Sequence, residues 1–155
     1  MMEETTLGRV MLIDDEAVDQ MMYKRILTRS GRTRDVISFT YAQDALDYLV
    51  DPDSPPVDLI LLDINMPRMT GFEFLEAVRE RIGMAFDIPV VMMLTTSLNP
   101  RDKARAAAFE VVRAYVNKPL QTEDVEMAAG ILDGMRGKAA MLPPQDPPPP
   151  APPVF

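Results

Sequence analysis

The chain has 155 residues, 47% of them hydrophobic and 26% charged, a mixture that supports one ordinary globular domain with a real core. Its formal net charge of −8 opposes close approach to nucleic acid or anionic lipid, so neither is expected as a partner. Cysteine and histidine are both absent, which excludes disulfides, thiolate or imidazole metal sites and histidine acid–base work, and leaves carboxylates, hydroxyls and lysine to carry any chemistry.

Met1 to Arg9 is polar and acidic with no apolar run behind it, so no secretory signal is read there, and no apolar stretch reaches spanning length. A cytoplasmic protein is the expectation. Val10-Met11-Leu12-Ile13 is a continuous apolar run, a strand halted by Asp14-Asp15-Glu16. Val18, Met21, Met22 and Ile26 then recur at helical spacing up to Gly31, which suits a left-handed helix cap. Ile37, Phe39 and Tyr41 alternate as a second strand does, and Ala45, Leu46 and Leu49 mark a short helix closed by Asp51-Pro52. Leu59-Ile60-Leu61-Leu62 is the third strand, and Phe72, Leu75, Val78 and Ile82 give the third helix. Val90 to Leu94 follows Pro89 as the fourth strand, and Pro100 opens a helix carrying Ala104, Ala107 and Ala108. Ala114-Tyr115-Val116 is a brief fifth strand. Thr122 is placed as the N-cap of a last helix with Glu123 and Asp124 in its first turn and Val125, Ala128, Ala129 and Leu132 on one face. Met21, Met22, Met92 and Met93 are read as gap-fillers on apolar faces.

Of the 15 prolines, eight lie between Pro143 and Pro153, where they remove the donors that helix or sheet needs. The folded unit is expected to end near Gly137. Residues 1–138 form the domain in this reading, and 139–155 a proline-rich tail that stays solvated in extended polyproline II form.

Strands apolar on both faces, alternating five times with helices, imply an α/β fold: a doubly wound parallel sheet covered on both sides. Sites in such folds lie beyond the carboxyl ends of the strands. Asp14 and Asp15 follow the first strand, Asp63 the third and Lys118 the fifth, while Thr95 ends the fourth. In the strand order 2-1-3-4-5 these side chains converge on one edge. Clustered carboxylates repel unless a hard cation neutralises them, and an all-oxygen set suits Mg²⁺. A lysine and a hydroxyl beside such a cation cradle a phosphoryl group within reach of a carboxylate nucleophile.

Four stretches in this order resemble the receiver domain of two-component response regulators: Leu12–Glu16, Asp58–Gly71, Met93–Ser97 and Asn117–Pro119, within a match spanning nearly all of Gly8 to Gly137. The resemblance implies a flavodoxin-like (βα)5 fold with Asp63 as phosphoacceptor. It also implies a Mg²⁺ site at Asp14, Asp15, Asp63 and the backbone carbonyl of Asn65, a phosphoryl contact from Thr95, an ion pair from Lys118, a cis peptide at Pro119, and Tyr115 as a switch residue coupled to Thr95. Thr96, beside Thr95, keeps the choice of functional threonine open. Three departures stand out: Thr70 in place of an acidic residue, no glycine before Ala114, and Thr96 itself, a larger side chain than the usual alanine.

The implied function is a stand-alone response regulator, a phosphoacceptor and not a conventional enzyme, that takes phosphate from a histidine kinase or histidine phosphotransfer protein. It would signal through protein contacts, with a homodimer through the fourth helix, fifth strand and fifth helix as one route. A phosphorelay intermediate or phosphate sink and a phosphate-independent interaction module are the alternatives. An aspartate-nucleophile phosphatase is disfavoured, because Asn65 stands where its second, proton-transferring aspartate belongs.

Overall fold

All five segments read as strands form strands, and each is followed by a helix. The structure, a computed structural model, describes residues 7–82 and 90–141. Its elements are β1 (Gly8–Ile13), α1 (Ala17–Ser30), β2 (Thr33–Phe39), α2 (Ala42–Val50), β3 (Leu59–Asp63), α3 (Gly71–Ile82), β4 (Val90–Thr95), α4 (Pro100–Ala107), β5 (Val112–Asn117) and α5 (Thr122–Met141). The strands form one sheet in the order β2-β1-β3-β4-β5, with every neighbouring pair parallel. This is the flavodoxin-like arrangement expected from the sequence, and Pro89 and the tail from Pro143 lie outside the described residues.

The continuous apolar runs are explained by a division of labour along each strand. Successive side chains point to opposite faces of a pleated strand. Val10 and Leu12, Leu59 and Leu61, and Val90, Met92 and Leu94 therefore enter one core with Tyr23 and Leu27 of α1 and Val125, Ala128, Ala129 and Leu132 of α5. Met11 and Ile13, Ile60 and Leu62, and Val91 and Met93 enter the other, against α2, α3 and Ala106 of α4. Each fully buried Leu or Met contributes about 1.5–3 kcal/mol. β5 breaks the alternation. Val112 belongs to the α2–α4 side and Ala114 to the α1/α5 side, because the register against β4 slips between Val91 and Met92 and inserts Arg113 as a bulge.

Several expectations are corrected. Val18, Met21 and Met22 are exposed, and the inward stripe of α1 runs through Asp19, Tyr23 and Leu27 instead. That stripe opens on a polar residue, so a search for apolar periodicity selected the wrong face; Met92 and Met93 are fully buried as expected. Tyr41 lies outside β2 and precedes α2. In α4 the buried alanine is Ala106, whereas Ala104, Ala107 and Ala108 are exposed. Thr122 lies inside α5, whose start is closed by Asp124 accepting the Gln121 backbone N–H at 2.8 Å. That helix also continues past Gly137 to Met141. A glycine costs a helix only about 1 kcal/mol, and the first proline downstream is Pro143.

Gly31 caps α1 with φ of 71°, as its position suggested. Gly71 answers to crowding: a Cβ there would lie 2.5 Å from the Asp63 carbonyl oxygen and 3.1 Å from the Ile64 Cα. Both are backbone atoms that cannot rotate away. Gly71→Ala is therefore expected to lower stability by roughly 1–3 kcal/mol, read as a drop in melting temperature.

Candidate functional site

Beyond the carboxyl ends of the strands, the sheet brings together the acidic residues that the sequence placed there. Asp14 follows β1 and is 3% exposed, Asp63 ends β3 at 5%, and half-buried Asp15 adjoins them. One carboxylate oxygen from each of the three lies within 4.8 Å of the others. The alternation of the strands carries Asp14 and Asp63 onto the α1/α5 side, next to the first turn of α1.

Lys118, just past β5, reaches into this cluster. Its Nζ lies 3.0 Å from Asp14 Oδ2, 3.0 Å from Asp19 Oδ2 and 3.3 Å from Asp63 Oδ1. Its backbone N–H donates to the Thr95 carbonyl at 2.8 Å, which fixes the exit of β5 against the end of β4. The Lys118–Pro119 peptide is cis, as the resemblance implied.

Burial pushes the Asp63 carboxyl up to about 6, reinforced by the charge of Asp14 and opposed by Lys118. Asp14 is also raised, by burial first, against the Glu16 backbone N–H and Lys118 that favour its ionised form. For Lys118, burial acts to lower the pKa, but hydrogen bonds to Asp14 and Asp19 and the charge of Asp63 outweigh it and raise it. The ammonium is therefore the permanent charge of the site.

Thr95 ends β4 fully buried, and Thr96 after it is exposed. The Thr95 Oγ1 accepts the Ser97 N–H at 2.9 Å, while Ser97 Oγ donates to Asp102 at 2.7 Å. Half-buried Tyr115 packs on the α2–α4 side. Burial raises its pKa, and hydrogen bonding with Thr95 and Ser97 lowers it, which puts the ring within reach of the β4 end. Asn65 sits two residues past Asp63 on the exposed turn before α3.

Three residues went unrecognised in the sequence. Asp19 is a fourth carboxylate at the site. Gln20 donates to the carbonyls of Asp14 and Phe39, clamping the ends of β1 and β2 together. Tyr23 is 1% exposed, its hydroxyl has no hydrogen-bond partner among the described residues, and burial raises its pKa to about 12, with Lys118, Asp19, Asp14 and Asp63 close enough to act on it. Projecting α1 from Asp15 onward with a period of 3.6 places Asp19 and Tyr23 on the turn facing the strand ends, a signal present in the sequence. Thr70 has a structural use: it forms a capping box with Glu73, accepting the Glu73 N–H at 3.2 Å while Glu73 accepts the Thr70 N–H at 2.9 Å.

An all-oxygen cluster of three carboxylates beyond the strand ends has the donor chemistry that a hard divalent cation takes, and a buried carboxylate beside a fixed ammonium can accept a transferred group. The family model described as the response regulator receiver domain matches residues 10–129. Two-component response regulator ORR1 of Oryza sativa subsp. japonica is 30% identical over 123 residues, which cover 76% of this chain and 52% of that protein. This chain therefore spans about half the length of that curated relative. Among solved structures, a two-component response regulator from Cytophaga hutchinsonii superimposes with a TM-score of 0.77 at 27% identity, covering 83% of this chain and 98% of the other. Vibrio cholerae chemotaxis protein CheY4 gives 0.66 at 28%, covering 82% and 99%.

The raised Asp63 pKa has a consequence for stability. Between its ordinary value of 3.8 and about 6 the folded state holds a proton that the unfolded state releases. The stability this group contributes is present below about pH 4 and is lost as pH rises through about 6. In metal-free buffer near pH 7.5, Asp63→Asn is expected to raise stability by roughly 1–3 kcal/mol, with the gain closing toward pH 4. Melting curves at the two pH values check this.

Proposed function

The chain belongs to the response regulator receiver family, and from that premise we propose that it is a phosphoacceptor that takes a phosphoryl group onto Asp63 from a partner's phosphohistidine. The observation that supports this best is the Asp63 carboxylate itself, buried at the end of β3, 3.3 Å from the Lys118 ammonium. In the proposed step one Asp63 oxygen attacks phosphorus as the phosphorus–nitrogen bond of the donor breaks, the electron pair returning to the imidazole ring. Lys118 then pairs with the charge that the phosphoryl oxygens bring. Asp14, Asp15 and Asp63, with the Asn65 carbonyl, would hold Mg²⁺, which when bound neutralises carboxylate and phosphoryl charge.

Thr95, whose oxygen accepts from Ser97, retains its hydroxyl proton to donate to a phosphoryl oxygen. Such a shift opens room for the Tyr115 ring and carries the signal to the face of α4, β5 and α5, the proposed output and homodimer surface. Among the described residues no helix is long and apolar enough to cross a membrane. We place the protein in the cytoplasm, where histidine kinases or phosphotransfer proteins meet it.

Acetyl phosphate with Mg²⁺ is expected to add one phosphoryl group, alkali-labile as acyl phosphates are, and intact mass follows it. Asp63→Asn abolishes the gain because an amide is not a nucleophile; stoichiometric labelling of that variant elsewhere overturns the assignment. Titration with Mg²⁺ alone is expected to shift amide resonances saturably at Asp14, Asp15 and Asp63, and a flat titration removes the metal from the reading. Size-exclusion chromatography with and without acetyl phosphate tests the homodimer, which predicts earlier elution of the labelled protein.

A further inference from the structure

The Lys118 ammonium is divided between two jobs. On the proposed reading, it has to meet a phosphoryl group on Asp63. In the structure it is also held at 3.0 Å by Asp19, on α1 and outside the set of carboxylates that cluster for a metal. Asp19 is 29% exposed at its side chain and Lys118 12%, so the pair is partly shielded from solvent and its loss is felt.

One helical turn further on, Tyr23 lies close enough to the same ammonium and the same carboxylate for their charges to act on its hydroxyl. Residues four apart on a helix are neighbours on one face. Among the described residues the Tyr23 hydroxyl is buried without a partner, an arrangement that costs a folded chain free energy and calls for a use. Its ionisation is displaced upward by burial, so the hydroxyl stays protonated and remains a donor. Asp19 can accept what Tyr23 has to give, but with Lys118 in place it already has a cationic partner.

We infer that Asp19 is a positioning residue that tethers Lys118 in the resting chain, and that the Tyr23 hydroxyl takes over Asp19 when Lys118 turns to the phosphoryl group. This rests on the phosphoacceptor reading and deepens it. The exchange keeps each charged group partnered in both states: Lys118 moves from Asp19 to the phosphoryl oxygens, and Asp19 moves from the ammonium to the phenol. Asp19 thereby sets how readily the site accepts phosphate, and Tyr23 sets how long the accepting state lasts.

The opposed signs make the inference testable. Beryllofluoride, a phosphoryl mimic, is titrated in saturating Mg²⁺ and followed by its bound fluorine-19 resonance. Freed of its tether, Lys118 in Asp19→Asn is expected to raise affinity about three- to ten-fold, whereas Tyr23→Phe lowers it about three-fold. In the Asp19→Asn background, Tyr23→Phe is expected to lose most of its effect, because the carboxylate it serves is gone. Glu16→Gln removes the same charge from an exposed neighbour without touching Lys118, and its affinity is expected to stay within about two-fold.

A helix-stabilising role for Asp19 alone would move melting temperature and leave beryllofluoride affinity unchanged, and that result overturns the tether. An equal gain in Glu16→Gln also overturns it, in favour of general charge. An equal Tyr23→Phe effect in both backgrounds overturns the exchange. Should Asp19→Asn fail to fold, Tyr23→Phe alone decides the exchange, since it removes only an unpartnered hydroxyl; unchanged affinity there refutes it. No bound fluorine signal in the unaltered chain overturns the phosphoacceptor reading, and the inference with it, which is a different result from an unresponsive Asp19 variant.

Discussion

A single ammonium group stands against three carboxylates at the end of the sheet, and the local structure is arranged around keeping it there. Asp14 and Asp63 are nearly closed to solvent, so their charges are costly unless something cationic sits beside them. Lys118 supplies that counter-charge within hydrogen-bonding reach of Asp14 and Asp19 and slightly further from Asp63. Its own backbone is fixed to β4 through the Thr95 carbonyl, and Gln20 fixes the Asp14 turn to β2. Four of the five strand ends are thus fastened relative to this one group. The balance is incomplete: Asp14 and Asp63 remain harder to ionise than free aspartates, which leaves the site receptive to a further positive charge.

Strands β1, β3 and β4 were legible because their apolar runs are continuous, and a run apolar at every position has few homes other than a sheet covered on both sides. Asp14, Asp63, Thr95 and Lys118 were legible for a related reason: the end of an apolar run is a point in the sequence, and the fold brings such points together. The structure also separates Thr95 from Thr96, since alternation buries the first and leaves the second exposed.

Features that depend on the third dimension were less accessible. The inner stripe of α1 begins with Asp19, whose polarity is satisfied by Lys118, a residue 99 positions away. Nothing local marks it as inward-facing, and Val18, Met21 and Met22 offered a more apolar but outward periodicity. The bulge at Arg113 lengthens β5 beyond the apolar triplet that announced it, because register depends on the neighbouring strand. At α5 the competing signals were glycine and proline; a glycine weakens a helix without ending it, so α5 persists to Met141.

The pleat assigns the site's two halves to different layers. Asp14 and Asp63 share the parity of the residues sealed under α1 and α5, whereas Thr95 shares that of the residues packed beneath α2, α3 and α4. Within the sheet these layers meet only through backbone, so each core can loosen with limited reference to the other. On the proposed reading, a phosphoryl group held by Asp63 on one side and Thr95 on the other would act as a rivet through both. Its binding energy would then couple the two layers into one cooperative unit, with an effect on local opening that extends beyond the atoms it touches.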